Sequence, residues 1–486
     1  MSKRPGLSQI SMIFACGTAL FSDGYANGVI GPGMLLKRIY GTDAVNAHHF
    51  ANTINSTVFA GTVVGMLVFG YLSDKVGRKF GMMTATGIVA LFSLLSAASS
   101  GAHHSLHGLL QMLAAMRFLL GIGIGAEYPC GSVAASEQTE EEGIAKNAQN
   151  RWFALATNSM IDFGFVIATF TLLVLFWIFG DSHLRVVWRL GLGLGFIPAM
   201  LVFLWRLKME NPTRFKRDNM LRVRKIPYWL IFKRYWKGLT ALSATWFIYD
   251  FVTYPFGIYS STITDNITGN ATSLTVVLGW ATVINAFYMP GTLGGALIVD
   301  YIGPKNCMLV GLLSQAVIGF IMSGAYVPLT KHIGGFAVVY GIFLSLGEVG
   351  PGNCLGMLAA KSGPTAIRGQ YYGIAAAVGK IGAFVGTWVF PVIIDDFGGS
   401  SSNKGNTGPF WIGSGLAVVS AIITFFFIRP LSADSMTKED IAFREYLEEN
   451  GFDTSQMGSG EEIDDEASVG TDEKADYAAK KAEGDL

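Results

Sequence analysis

Charge is scarce in this chain. Asp, Glu, Lys and Arg make up 14% of its 486 residues, where a soluble domain carries roughly 25%. Such a sequence cannot clothe a water-facing surface, which excludes a cytosolic enzyme and points to a membrane protein. Cysteine is equally sparse. Cys16, Cys130, Cys307 and Cys354 stand far apart in apolar runs, so neither a disulfide framework nor a zinc spacing exists, and buried inert thiols are expected. No nucleophile–base pair, nucleotide loop or metal cluster occurs. Enzyme activity, a cofactor, a metal and a nucleic-acid partner are therefore not expected. Met1–Gln9 is polar and leads into a long apolar run without a small-residue cleavage site, so no cleavable signal is expected. Net charge is also missing, since 35 Lys and Arg balance 35 Asp and Glu. That zero is a cancellation: residues 431–486 carry 17 acids and 5 bases, leaving the first 430 residues at +12.

What is present is a series of long apolar stretches. A membrane span needs about 20 apolar residues in a row. Twelve candidates occur, at about 8–36, 49–72, 80–101, 107–134, 152–179, 185–206, 239–260, 273–300, 306–328, 333–360, 370–395 and 408–429. Many of the 60 glycines fall inside them, and small residues let helices approach closely in lipid. Between the sixth and seventh candidates, residues 206–238 hold eleven Lys and Arg against two acids. The expectation is an all-α membrane protein with twelve transmembrane helices in two six-helix halves. Its parts would be an N-terminal half over 1–206, a basic linker over 207–238, a C-terminal half over 239–430, and an acidic, mostly disordered tail over 431–486. A short helix near Lys438–Glu449 is possible within that tail.

Loop lysines and arginines mark the cytoplasmic side. Lys3 and Arg4, the Lys75–Lys79 loop, Lys146, Arg151, the basic linker, Lys305 and Arg368 all fall on one side, apart from Lys37 and Arg38 opposite. Both termini are then cytoplasmic. The sequons at Asn266 and Asn270, candidate glycosylation sites, and all seven histidines fall outside. The tail and the basic linker share a side, so a contact between them is expected.

An internal repeat supports the two-half reading. Gly65…Asp74-x-x-Gly77-x-Lys79 recurs 226 residues later as Gly291…Asp300-x-x-Gly303-x-Lys305. Both copies follow the second span of their half, and duplicated halves place a substrate site between them. The turn's aspartate can receive the dipole end of a neighbouring helix and pair with a cation, so Gly70, Asp74, Gly77, Arg78, Asp300, Gly303 and Lys305 are gating candidates. Inside the spans lie Asp23, Arg117, Glu127, Asp162, Asp250, Glu348 and Lys380. Each costs about 2.5–3.5 kcal/mol at a helix centre, so they must face a polar cavity or one another. Trp246, Asp250 and Tyr254 stand four residues apart. They form one stripe of about 12 Å offering an indole N–H, a carboxylate and a phenol. Lys380 is the only basic residue deep in the second half and favours an anion in a low-dielectric cavity. A Lys380–Asp250 salt bridge is the alternative.

The Gly70-Tyr-Leu-Ser-Asp74-Lys-Val-Gly77-Arg78-Lys79 loop resembles the signature of the major facilitator superfamily. Arg117-Phe-Leu-Leu-Gly-Ile-Gly-Ile-Gly125-Ala-Glu127-Tyr128-Pro129, with Ala135-Ser136-Glu137, resembles the fourth helix of its phosphate:proton symporters. Trp246-x-x-x-Asp250-x-x-x-Tyr254 is similar to their seventh-helix substrate triplet, and Gly379-Lys380-x-Gly382-Ala383-x-x-Gly386 to their eleventh-helix lysine motif. Trp188-Arg189, Pro198-Ala199, Arg206-Leu207 and Asn211-Pro212-Thr213-Arg214 resemble the end of their first half. Phe21-Ser-Asp23-Gly-Tyr25 and Gly61-Thr-Val-Val-Gly65 look closest to the fungal glycerophosphoinositol and glycerophosphodiester permeases.

The sequence departs from the phosphate pattern. The family's tenth-helix Asn falls at Gly352, with Asn353 next to it. The fifth-helix Gln is absent, and either Asn158 or Asp162 takes its neighbourhood. The third-helix Glu falls near Ala85, while Asp162 and Glu348 are additional carboxylates. A site with more room and more acid suits an organic phosphate. The expected substrate site is Tyr128, Asn158, Asp162, Trp246, Asp250, Tyr254, Glu348, Asn353 and Lys380. Proton coupling is expected at Asp23, Glu127 and Asp250, with Arg117 holding Glu127. The resemblance implies a proton-coupled importer of a small anionic phosphate ester, monomeric, in the plasma membrane. Inorganic phosphate transport and a non-transporting nutrient sensor are the alternatives.

Overall fold

The structure, a computed structural model, describes residues 7–29, 33–41, 44–45, 50–141, 143–223, 225–258, 273–432 and 434–458. Among these residues there is no strand. The first half comprises α1 (Leu7–Gly17), α2 (Phe21–Gly28), α3 (Gly33–Tyr40), α4 (Phe50–Lys75), α5 (Arg78–Ala97), α6 (Leu106–Glu127), α7 (Val133–Thr139), α8 (Gln149–Ala156), α9 (Asn158–Phe179), α10 (Leu184–Gly193) and α11 (Phe196–Arg206). A short α12 (Thr213–Asp218) lies in the linker. The second half comprises α13 (Tyr228–Ile258), α14 (Leu274–Ala286), α15 (Tyr288–Ile302), α16 (Pro304–Gly324), α17 (Tyr326–Thr330), α18 (Ile333–Gly347), α19 (Asn353–Lys361), α20 (Arg368–Asp396) and α21 (Asn403–Phe427), followed by α22 (Ser435–Glu449).

Several helices join end to end across a distortion. A wide π-turn at Tyr128–Ser132 links α6 to α7, and another at Glu348–Gly352 links α18 to α19. Each contains a proline, Pro129 or Pro351, which lacks an N–H and cannot continue the regular ladder. Thr157, at φ −114 and ψ −79, breaks α8 from α9. Counting such end-to-end helices once and leaving aside α3, α12, α17 and α22, the described helices make twelve rods, matching the twelve apolar stretches in number. Ten are long and apolar enough to cross a membrane. The other two are the first, interrupted at Thr18–Leu20, and α13, whose inner stripe is polar. α13 begins at Tyr228, earlier than the apolar stretch at 239 suggests, because amphipathic Tyr228–Gly238 continues the same helix.

Polar groups face inward and apolar groups outward. Asp23, Arg117, Glu127, Asp250 and Lys380 are all at most 2% exposed, while Ile178, Leu201, Phe426 and Phe427 are at least 62% exposed. A lipid-facing belt accounts for that inversion. Glycine sets the closest contacts. A Cβ on Gly379 would lie 2.5 Å from the Trp246 indole, so α20 can press against α13 only with glycine there. Gly77 and Gly303 adopt φ of +128° and +79°, the left-handed turn that a side chain resists. The loops expected on one side, at 75–79, 146–151 and 300–305, do meet at one face with the linker and α22, here called the linker face.

Candidate functional site

Between the halves lies a cavity of about 60 Å³. Tyr128 reaches it from one π-turn and Glu348 from the other. Asn158 and Asp162, one helical turn apart on α9, both line it. Trp246, Asp250, Tyr254, Asn353 and Lys380 line it too, so every residue of the expected substrate set faces one space.

The first end of the cavity is built around Lys380. Its Nζ lies 3.1 Å from Asp23 Oδ2 and 3.7 Å from Asp250 Oδ2, and it donates to the Tyr254 hydroxyl. Asp23 is thus the nearer counter-ion, rather than the Asp250 considered from sequence. Asp23 Oδ2 also accepts from the Tyr128 hydroxyl at 2.5 Å and the Tyr254 hydroxyl at 2.7 Å. Asn27 Nδ2 donates to the other oxygen at 2.8 Å. Asp23 is therefore fully engaged and bridges the halves. Asp250 Oδ2, by contrast, has no hydrogen-bond partner though it is buried. The Lys380 ammonium also lies 3.7 Å from the Tyr254 ring centroid and 5.1 Å from that of Tyr128, within cation–π reach.

The second end is acidic and neutral-polar. Asn158 Nδ2 donates to Glu348 Oε2 at 2.9 Å, to Asn353 Oδ1 at 3.3 Å and to Asp162 Oδ2 at 3.4 Å. The Tyr249 hydroxyl donates to Glu348 Oε1 at 2.6 Å. Thr292 joins Asn353 and Ser159 to the same network. Asn353 follows the π-turn directly and, with Gly352, lines the cavity. Sequence reading missed Tyr249 and Thr292. Tyr249 is adjacent to Asp250, and Thr292 follows the repeat's Gly291, which are the only signals that could have found them.

Two expected partners do not meet. Arg117 does not hold Glu127. Ten residues on one helix separate them by about 15 Å. Arg117 instead donates to the carbonyls of Ile54 and Ala26 at 3.0 Å each. Glu127 pairs with Arg206 at 2.7 Å, and Arg206 also donates to the Ala15 and Cys16 carbonyls. Neither Arg117 nor Glu127 lines the cavity.

At the linker face the two loop copies perform the same task. Asp74 accepts from the backbone N–H of Gly369 at 2.9 Å and of Gln370 at 2.8 Å, at the start of α20. Asp300 accepts from the N–H of Asn150 at 3.1 Å and of Arg151 at 3.0 Å, at the start of α8. Each carboxylate therefore meets the positive dipole end of a helix in the other half. Gly70 packs against the Gly369 carbonyl, and Lys305 donates to the Phe425 carbonyl at 2.8 Å.

Around Asp74 runs an alternating chain of charge. Arg78 pairs with Asp74 at 2.6 Å and Glu137 at 3.1 Å. Arg368 pairs with Glu137 at 3.2 Å and Asp440 at 3.6 Å. Arg214 pairs with Asp440 and Glu140, each at 3.2 Å, and Lys361 with Glu140 at 3.8 Å. Asp440 lies on α22, so the expected helix near Lys438–Glu449 is present and docked. It also meets the basic linker as expected, through Arg234–Glu439 at 3.2 Å and Tyr235–Glu439 at 2.5 Å. Met436, Phe443 and Leu447 are buried beneath it. Asn266 and Asn270 lie outside the described residues.

The family model described as "Sugar (and other) transporter" matches residues 11–438. A glycerophosphocholine permease of Candida albicans is 48% identical over 471 residues, covering 95% of this chain and 87% of the relative. The major glycerophosphoinositol permease of the same organism is 46% identical, covering 93% and 84%. Among solved structures, a proton:xylose symporter of the major facilitator superfamily, bound to 6-bromo-6-deoxy-D-glucose, superposes with a TM-score of 0.74. It is 17% identical and covers 90% of this chain and 98% of its own.

Proposed function

The chain belongs to the sugar (and other) transporter family of the major facilitator superfamily, and from that premise we propose that it imports glycerophosphodiesters together with protons. The observation that carries this reading is the cavity between the halves, where Lys380 is the one cation among the described lining residues, facing the carboxylates Asp162, Asp250 and Glu348 and paired with Asp23 beside them. The two relatives named as permeases of glycerophosphodiesters support the substrate class.

In this reading the phosphodiester anion takes Lys380 away from Asp23. The Tyr128 and Tyr254 hydroxyls, which donate to Asp23 in the unloaded site, turn to the phosphate oxygens. A phosphodiester has no P–OH, so Asp250 Oδ2 receives a glycerol hydroxyl instead. Asp23, released by its lysine and phenols, then takes up the transported proton. Substrate and proton thereby release the bridge between the halves. The linker-face cluster then opens to the cytoplasm by rocking of one half against the other. Glu127, fixed by Arg206, supports this motion rather than contacting substrate. The membrane potential adds about 2.3 kcal/mol per inward positive charge per 100 mV.

The carrier is a plasma-membrane monomer with the linker face and both termini cytoplasmic. It divides into halves at 1–206 and 239–430, joined by 207–238 and followed by the tail from 431. Labelled glycerophosphodiester uptake in cells lacking their own system tests the reading. Accumulation that excess phosphate leaves intact supports it, whereas phosphate uptake that excess diester leaves intact overturns it.

A further inference from the structure

We infer that the acidic end of the cavity, Asp162 and Glu348 bridged by Asn158, is a subsite for a cationic headgroup of the phosphodiester, a quaternary ammonium alcohol such as choline. This rests on the reading of the cavity as a glycerophosphodiester site and deepens it by assigning the headgroup.

The first ground is uncompensated charge. Among the described residues Lys380 is the only Lys, Arg or His lining the cavity, and its ion pairs are with Asp23 and Asp250 at the opposite end. Among the same residues neither Asp162 nor Glu348 forms an ion pair, although each is only 3% exposed. The groups that hold them, the Asn158 amide and the Tyr249 hydroxyl, orient the carboxylates but bring no positive charge. Buried carboxylates without a counter-charge are costly, and a ligand cation supplies what the protein omits.

The second ground is the wall. Trp246, Tyr249, Tyr288 and Phe165 line the same cavity, with the Phe165 and Tyr288 rings 5.7 Å apart. Aromatic faces beside a carboxylate are the usual recognition of a quaternary ammonium. The third ground lies beside Lys380. Asp250 Oδ2 is a buried acceptor in the cavity with no hydrogen-bond partner, placed for a glycerol hydroxyl. Phosphate at Lys380, glycerol at Asp250 and headgroup at Asp162 and Glu348 account for one zwitterionic diester. A neutral polyol headgroup would donate hydrogen bonds to the carboxylates yet bring no positive charge to them.

The test compares two diesters that share the glycerophosphate and differ in headgroup. In cells without their own uptake system, glycerophosphocholine is expected to compete for transport at a concentration at least about tenfold lower than glycerophosphoinositol. Asp162→Asn is expected to raise the glycerophosphocholine KM about tenfold or more and the glycerophosphoinositol KM about threefold at most. Thermal stabilisation of the purified wild-type protein by the same two diesters gives the ranking independently of any variant. Wild-type preference for the inositol diester overturns the subsite. So does an equal loss of both diesters in Asp162→Asn, which would place the acidic pair in the proton cycle or the fold. Failure of the wild type to transport or bind either diester removes the parent reading, and the subsite with it.

Discussion

Two buried charge clusters sit one above the other in this molecule, and they are built on opposite principles. At the linker face, Asp74, Glu137, Asp440 and Glu140 alternate with Arg78, Arg368, Arg214 and Lys361, so every charge has an opposite neighbour. In the cavity Asp162, Asp250 and Glu348, with Asp23 beside it, have Lys380 as the one cation among the described lining residues. The balanced cluster stabilises one closed arrangement of the linker face and wants nothing further. The unbalanced cluster is incomplete until protons or ligand charge arrive. Charge balance thus separates a fastening from a binding site where burial alone cannot, since both clusters are almost wholly enclosed.

The strongest way to break this contrast is to remove the cavity's cation. Lys380→Ala is expected to lower diester uptake at least about 30-fold at equal surface expression, as truncating a buried charged partner costs about 2–5 kcal/mol. Its thermal stability should change less than its uptake. The reciprocal experiment is Glu137→Gln, which leaves Arg78 and Arg368 facing each other. Breaking a buried pair costs about 3–5 kcal/mol. The expected result is a clearly lower melting temperature in detergent with a reduced maximal rate, while KM stays within about twofold. Removal of the chain from residue 434 onward takes away Asp440 and Glu439. Arg214 then keeps Glu140 and Arg368 keeps Glu137, so stability should fall by about 1–3 kcal/mol while uptake persists. Loss of all uptake with a folded protein at the membrane would favour a sensor over a carrier. The smallest effect belongs to Asp300→Asn. Asp300 lacks the arginine that Asp74 has, since Pro304 stands where Arg78 stands in the other copy. Its interactions with the α8 amides and, at 3.9 Å, with the Arg151 guanidinium weaken, by about 1 kcal/mol, measurable as a small shift in melting temperature.

Much of this was legible in the sequence because lipid enforces simple rules. Spans need length and low charge, so their approximate positions could be read. The four-residue spacing of Trp246, Asp250 and Tyr254 is enough by itself to put one face of α13 in the cavity. The lysine in a glycine-rich helix does the same for α20, where Gly379 makes room for Trp246. Pairings across helices were not legible. Glu127 finds Arg206 rather than Arg117 because Arg117 lies about 15 Å back along the same helix while Arg206 comes from α11, and no local period reports that. Asp440 was hidden among the 17 acids of the last 56 residues. Its importance comes from tertiary geometry, where it accepts from Thr365 N–H at 2.6 Å and from Arg214 at 3.2 Å. Tyr249 and Thr292 are neutral polar residues in apolar helices, a pattern that any packing contact could produce.

The surplus of carboxylates in the cavity is the centre of this account, and counting protons during transport tests it most directly. Purified protein in liposomes, given an inward-negative potential and a glycerophosphodiester outside, should turn the outer solution alkaline as the diester enters. Asp23→Asn should abolish that proton movement together with uphill accumulation. Diester uptake with no accompanying proton movement, or accumulation that survives Asp23→Asn, would contradict the account.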